Sequence, residues 1–330
     1  MTIRGKRRLL FIILLILLAA GFFFSLLKGP VPTSFKDFMN LLFRGDKTYS
    51  TIFIDLRLSR VLLAFLVGAS LSLSGAILQG YFQNPMAGPF VVGVSSGASF
   101  GAVLSMFLGL SMTFHGFSLQ SIFAFFSGFA IVYVVYLLSQ RKGVFKVETL
   151  LLVGIAAGAM ASSLTSFLIF LKSESFEQAV FWLLGSFTLS DWRQITAVAP
   201  YFFLSLIVAQ WLAKDMNLLA LGDETAQSLG CAVNRVRKIF LGIATLLAAS
   251  SVSVSGIIGF VGLIVPHWVR ILIGPDHRYL FFFSSLTGGI FLIFSDLLAR
   301  TLLFPTELPI GIITAAIGAP FFIYLLNQSR

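Results

Sequence analysis

Charge is scarce in this sequence. Its 330 residues hold 23 lysines and arginines and 13 aspartates and glutamates, 11% in all, against about a quarter in soluble domains. With 58% of the residues hydrophobic, a water-soluble globule is excluded and an integral membrane protein is implied. Cysteine is nearly absent. Cys231 stands alone, which rules out an internal disulfide or a multi-cysteine metal site and leaves the redox compartment undecided. No G-x-x-x-x-G-K-[ST] occurs, so the chain has no nucleotide-binding loop of its own and draws its energy from elsewhere. Asp296 is the one acidic residue well inside an apolar run. It precedes Arg300 by one helical turn, so it reads as an i,i+4 structural partner or as a proton site. Histidine is as thin: His115 and His277 fall in loops and His267 follows Pro266. Adjacent sequence therefore assembles no metal cluster, and His267 reads first as a packing residue beside a kinking proline.

What is present is a succession of apolar runs of spanning length. Arg4, Lys6, Arg7 and Arg8 precede the run Leu9 to Leu27, either a signal peptide or, since it is long and lacks a clear cleavage site, an uncleaved first helix. Phe35, Phe38, Leu41 and Leu42 are spaced for a short helix on the membrane surface. A second span from about Leu58 to Gln79 stops at Gln83-Asn84-Pro85-Met86-Ala87-Gly88-Pro89, where Pro85 and Pro89 forbid a continuous helix. Irregular backbone at that depth must be covered by protein or line a cavity. Gly93, Gly97 and Gly101 then recur at every fourth position, a stripe for close helix packing repeated by Gly154 and Gly158.

A fourth span, about Ser118 to Leu138, leads to the basic loop Arg141, Lys142 and Lys146, and a fifth runs from about Thr149 to Leu171. FWLLGSF, between Lys172 and Arg193, is too short to span and is expected to be re-entrant or interfacial, with Trp182 and Trp192 in the interfacial belt. A sixth span ends near Ala213. The uncharged stretch Ile239 to Val269 is expected to hold two short helices broken at Ser250, Ser251, Ser253, Ser255 and Gly256, and spans near Leu280 to Ala299 and Leu308 to Leu326 follow. Ten spans in one domain of residues 1–330 put both termini inside. Fourteen of the 23 basic residues then lie inside and nine outside, the expected bias. The net charge of +10 thus reports orientation in a bilayer, and no nucleic-acid partner is expected.

Two clusters stand out. MNLLALGDETAQSLG, Met216 to Gly230 within a loop of about 214–238, is followed by Arg235, Arg237 and Lys238. It mixes charge with Leu218, Leu219 and Leu221 at helical spacing. After Gly222, Asp223 is expected to cap a short helix whose N-terminal end favours Asp223 and Glu224 and whose end suits Gly230. So short a helix is marginal alone, so Ala226 and Leu229 are expected to pack together on the adjoining segment or on a partner. The other cluster, Arg57 and Arg60 with Arg300, lies at the outer ends of two spans. These are snorkelling anchors or a docking patch for carboxylates on an extracytoplasmic partner.

Several of these stretches together resemble the permease subunits of type II ABC importers for iron-siderophore complexes, haem and cobalamin. The matching segments are RLSR at Arg57 to Arg60, LSGAILQGYFQNPMAGPFVVGVSSGA at Leu73 to Ala98, LALGDETAQSLG at Leu219 to Gly230 and SGIIGFVGLIVPHWVR at Ser255 to Arg270. DHR at Asp276 to Arg278, DLLAR and ELPIGIITAAIGAPFFIYLL complete the series. The resemblance covers nearly the whole chain. It implies an all-α membrane protein of ten transmembrane helices with broken and re-entrant segments. It implies a homodimer with the pathway on its axis, two cytosolic ATPase subunits that bind ATP and magnesium, and one extracytoplasmic binding protein. Under it, Met216 to Gly230 provides the coupling helices that seat in the ATPase, and Arg57, Arg60 and Arg300 receive acidic residues of the binding protein. Ser59 stands where the family often has proline, and Val147, Glu148 and Thr149 match the family's inner gate only loosely.

The function expected is therefore that of a non-catalytic permease in a bacterial or archaeal cytoplasmic membrane. It imports a metal chelate, iron-siderophore or haem before cobalamin, and carries no cofactor of its own. An ion-coupled secondary transporter of a bulky solute is the alternative, disfavoured by the coupling segment and the poverty of buried charge. A membrane scaffold or sensor would need no broken helices.

Overall fold

The computed structural model describes residues 3–328 apart from 30, 32, 34, 45–46, 111, 115–116, 142–143, 146 and 173–175. His115, Lys142 and Lys146 therefore lie outside the described residues. Helix α1 (Ile3–Leu27) is followed by α2 (Phe35–Arg44) and α3 (Lys47–Ser50), and a π-helical segment, Thr51–Leu58, runs directly into α4 (Ser59–Tyr81). A 3-10 turn at Pro89–Val92 precedes α5 (Val94–Phe107). The ribbon β1 (Thr113–Phe114) and β2 (Phe117–Ser118) is antiparallel, with Thr113 opposite Ser118. After α6 (Leu119–Ser139), β3 (Gln140–Arg141) and β4 (Val144–Phe145) pair likewise, with Gln140 opposite Phe145. Then come α7 (Val147–Leu171), α8 (Phe176–Leu183), α9 (Trp192–Trp211), α10 (Ala213–Leu219) and α11 (Asp223–Ser228). The last four are α12 (Val233–Ser255), α13 (Val261–Ile273), α14 (His277–Thr301) and α15 (Ile310–Gln328).

Among the described residues, seven helices are long and apolar enough to cross a membrane, and α5, α13 and α15 supply three shorter apolar ones. At 1.5 Å per residue, the 14 residues of α5 and the 13 of α13 reach only about 20 Å of the ~30 Å hydrocarbon layer. The irregular segments before them make up the depth. The stretch Ile239 to Val269 is broken at Gly256 into two helices as expected, but only the second, α13 with its 13 residues, is short. Helix α12 runs 23 residues because it starts at Val233, within the basic cluster, and the serines fill its last turns before Gly256 ends it. Helix α13 likewise continues through Pro266.

Helix α4 is the centre of the molecule. Its small and apolar residues are buried on every side, as its lack of a polar face requires, and α14, α12, α13 and α9 surround it. Against α14 the approach is backbone to backbone: a Cβ on Gly68 would collide with the carbonyl of Gly288, and one on Gly288 with that of Gly68. The stripe of the third span packs within the chain, since a Cβ on Gly97 or Gly101 would strike the backbone of α6, and Gly154 lies against Val91 and Val92. These glycines therefore carry no information about assembly.

Three broken segments satisfy one another's backbone, as membrane depth demands. The Ser186 N–H donates to Ser255 O (2.8 Å), the Ile310 N–H to Gly185 O (3.0 Å) and the Gly311 N–H to Leu184 O (3.0 Å). The end of α8 is thereby stitched to the end of α12 and the start of α15. Trp182 packs with Ala98, Ala102, Ala124 and Val252.

Candidate coupling and docking sites

Helices α10 and α11 form a handle at one face of the molecule. Gly222 (φ +97°) joins them and Gly230 (φ +87°) ends α11, both in a region that residues with a Cβ rarely enter. Asp223 does not cap α11, contrary to expectation. It is the first helical residue, and its Oδ1 accepts a hydrogen bond from Arg237 Nη2 at 2.7 Å. With a guanidinium in reach, the charge-assisted bond wins over a cap to a neutral amide, and α11 is pinned to α12. Asp223 and Glu224 remain in the first turn, where the dipole favours them. Ala226 and Leu229 differ in burial: Ala226 is fully buried, whereas Leu229, at the helix end, is 59% exposed and does not pack on the adjoining segment. Leu219 is buried and Leu218 packs on the core, while Leu221 is 60% exposed. The handle thus presents Leu221 and Leu229 at its tip. Burial raises the pKa of the Cys231 thiol beneath α11, aided by the nearby Asp215.

The handle's rigidity comes from side chains beyond its own helices. Asn217 is the hub: its Nδ2 donates to Asp276 Oδ1 (2.8 Å), and its Oδ1 accepts from the His277 N–H (3.0 Å) and lies 2.7 Å from His277 Nδ1. The side-chain hydrogen bonds of Arg278 hold the Asp276 carboxyl below the usual carboxylate range, and the bond from Asn217 adds to this. Met216 is fully buried. Gln83, in the break after α4, donates to Leu219 O at 2.5 Å. In that break the Asn84 side chain accepts from the Met86 N–H (2.9 Å), Pro85 follows in the turn, and Pro89 opens the 3-10 turn that Gly93 (φ +89°) closes. The handle is therefore tied to α4 through Gln83 and to α14 through Asn217. Sequence reading singled out neither Gln83 nor Asn217, whose amides look like ordinary loop residues until the fold brings their partners near.

At the opposite face the three arginines are buried in internal networks rather than displayed as an exposed patch. Arg57 donates to Leu26 O (2.5 Å), Val31 O (2.5 Å) and Thr33 Oγ1 (2.6 Å), which closes the end of α1. Arg300 donates to Ser25 O (3.3 Å) and Lys28 O (3.2 Å) and pairs with Asp296 at 3.1 Å. Arg60 holds Asp296 with Nε and Nη2 (2.8–3.2 Å) and Glu307 with Nη1 (3.0–3.1 Å). Asp296 is thus an ion-pair partner of two guanidiniums, which favours the structural reading over a proton site. Glu307, missed in the sequence, is the fourth member. Its Oε2 accepts from Thr188 Oγ1 at 3.0 Å, and both residues line a cavity of about 500 Å³ whose mixed wall sets Ser186, Gln194 and Ser255 beside Phe181, Trp182 and Val254. A second, apolar crevice of about 230 Å³ lies between the breaks, walled by Gly88, Pro89, Phe90, Ile258, Phe260 and Leu263. Gln79 Nε2 donates to Leu263 O at 2.8 Å beside it.

This architecture has close relatives. The FecCD transport family matches residues 16–328. The cobalamin import system permease protein BtuC of Halobacterium salinarum is 43% identical over 288 residues, 87% of this chain and 76% of that protein. The Fe(3+)-citrate import system permease protein YfmD of Bacillus subtilis is 38% identical over 93% of this chain and 90% of its own length. The hemin transport system permease protein HmuU of Yersinia pestis is 37% identical over 84% of each. Among solved structures, a metal-chelate type ABC transporter in an inward-facing conformation superposes with a TM-score of 0.85 at 33% identity, covering 97% of this chain and 99% of that one. The chain belongs to the FecCD transport family, the membrane-spanning permease components of ABC importers.

Proposed function

We propose that this chain forms, with a second copy of itself, the membrane pathway of an ATP-driven importer of a metal chelate. The relatives' substrates, iron-citrate, hemin and cobalamin among them, support iron chelates or haem, with cobalamin next. In this reading the handle face is cytosolic and seats in two ATPase subunits that bind ATP and magnesium. The arginine face is outside and receives the binding protein. The observation that carries the reading is the two-point latch of the handle: a stroke delivered to Leu221 and Leu229 reaches α4 and α14 through Gln83 and Asn217. A tethered loop would dissipate it, and a ligand shifts a conformational equilibrium only through contacts that differ between its states.

The second copy is favoured by α7. Ser163 and Ser166 lie on its exposed side near mid-helix, where contact with lipid would leave hydroxyls without external partners. A face of this kind suits a pathway shared with a second copy.

The test is uptake and ATP hydrolysis by the same reconstituted complex. With Leu221 and Leu229 both changed to Asp, uptake should fall at least tenfold while the protein stays folded and still binds its extracytoplasmic partner. Substitution of exposed residues costs little stability, within about 0.5 kcal/mol. Wild-type uptake by that variant would refute the coupling role.

A further inference from the structure

The arginine network is asymmetric. Arg57 is committed to backbone carbonyls and a hydroxyl of its own chain, and Arg300 to two carbonyls and Asp296. Arg57 has no carboxylate to exchange, and the one that Arg300 holds, Asp296, is enclosed and shared. Arg60 is different. One edge, Nε with Nη2, grips Asp296, whose side chain is 2% exposed, while Nη1 alone grips Glu307, whose side chain is 18% exposed. Asp296 is enclosed and shared with a second guanidinium. Glu307 is partly wet, bound through a single nitrogen, and sits on the short connection between α14 and α15.

Glu307 also has a second duty. The carboxylate oxygen Oε2 accepts from Thr188 in the α8–α9 connection, where Thr188 Oγ1 in turn lies 2.7 Å from Ser186 Oγ. That connection forms one wall of the 500 Å³ cavity, with Leu189 beside it 88% exposed. Arg60, Glu307 and Thr188 therefore make a three-member clamp that fixes a cavity wall to α4 through one exchangeable ion pair.

We propose that Glu307 is an internal stand-in for the carboxylate of the docking partner. An acidic side chain of the binding protein takes its place on Arg60 Nη1, and the displaced Glu307 lets go of Thr188, freeing that wall of the cavity at the moment substrate is presented. The exchange swaps one carboxylate for another on the same guanidinium, so no charge is left unpaired on Arg60, and the cost falls on the Glu307–Thr188 bond. This inference rests on the docking role proposed for the arginine face and adds the residue that competes for it and the loop that responds.

The experiment measures binding-protein affinity for the nanodisc-embedded transporter in wild type, Glu307→Gln, Arg60→Gln and Thr188→Val. It also follows spin-label mobility at Leu189→Cys in a Cys231→Ser background. Removing the internal competitor should tighten binding by Glu307→Gln roughly three- to tenfold and make the label mobile without the partner. Thr188→Val should mobilise the label with little change in affinity, and Arg60→Gln should weaken docking. In the parent background the label should become mobile only when the binding protein is added. If Arg60→Gln weakens docking but Glu307→Gln leaves affinity unchanged or lower, the exchange is wrong and the docking surface stands. If Arg60→Gln has no effect on affinity, the docking role itself fails. A label equally mobile with and without the binding protein in the parent background also overturns the clamp.

Discussion

Replacing Asn217 by Ala tests the latch at its hub. The substitution removes the bond to Asp276 and the acceptor for the His277 N–H, at 2.8 and 3.0 Å, and the Oδ1 that lies 2.7 Å from His277 Nδ1. A hydrogen bond to a charged group contributes about 1.5–3 kcal/mol and a neutral one about 0.5–1.5 kcal/mol. Asp276 keeps Arg278 as a partner, and the bonds share one side chain, so the loss is smaller than their sum, about 2–3 kcal/mol for local opening. At about 1.4 kcal/mol per tenfold, the handle amides from 216 to 222 should exchange with deuterium roughly 30- to 150-fold faster, while those of α4 stay protected. If the handle seats in the ATPase as proposed, uptake should fall while ATP hydrolysis continues, because the grip on the tip remains but the pull on α14 is lost. Asn217→Asp keeps an acceptor but places a carboxylate against Asp276, so it should be at least as damaging. Unchanged exchange in the handle would refute the latch. Uptake and hydrolysis falling together, with handle and α4 amides equally deprotected, would show a folding defect instead.

Three further outcomes follow from the packing. Asp296→Asn should cost about 3–5 kcal/mol and lower the thermal unfolding temperature in detergent, since it leaves Arg60 and Arg300 short of their shared counter-charge; normal stability with selective loss of ion-driven transport would reinstate a proton site. Gly68→Ala should unseat α14 from α4 and cost about 3 kcal/mol or more by forcing backbones apart. Gly242→Ala, where a Cβ meets nothing within 4 Å, should stabilise α12 by up to about 1 kcal/mol; equal melting temperatures for the two variants would contradict the close crossing.

The sequence reading succeeded where physics is local. Apolar runs long enough to cross a membrane, and prolines that forbid helix at 85 and 89, are visible one residue at a time. Asp296 and Arg300 pair as their spacing implies. It fell short where partners come from far along the chain. Asp223 looked like a cap because Arg237, fourteen residues later, has no local signature as its partner. Arg57, Arg60 and Arg300 looked like a surface patch because spacing shows which end of a helix an arginine occupies, not that Leu26, Val31 and Glu307 will enclose it. Ala226 and Leu229 satisfy i,i+3 spacing, but the chain buries only Ala226 and leaves Leu229, at the helix end, exposed. The boundary of α12 was misplaced for a related reason: a membrane helix starting among Arg235, Arg237 and Lys238 breaks no hydrogen-bonding rule, and hydropathy alone registers only its apolar part.

The two candidate sites are joined by the same pair of helices. Helix α4 carries Arg60 near its first turn and ends at Tyr81, two residues before Gln83, while antiparallel α14 begins at His277 and carries Asp296 and Arg300 near its far end. From residue 60 to residue 80 is about 30 Å of helix, the thickness of the hydrocarbon layer. Halfway along, Gly68 and Gly288 bring backbone against backbone, a contact with no side-chain torsions to absorb a displacement. Under the proposed roles, a pull on the handle through Asn217 and Gln83 would act on the same rigid pair that holds Arg60 and Asp296 at the opposite face, and an ion-pair exchange there would act back on the handle. Such a pair moves as a unit only if its neighbours yield. Under the proposed coupling role the give would lie at the breaks Gln83–Pro89 and Gly256–Phe260, because each interrupts a helix packed against α4 or continuous with it, and the apolar crevice lies between them. The proposed division of work is therefore that α4 and α14 transmit and the broken helices on either side of the crevice move.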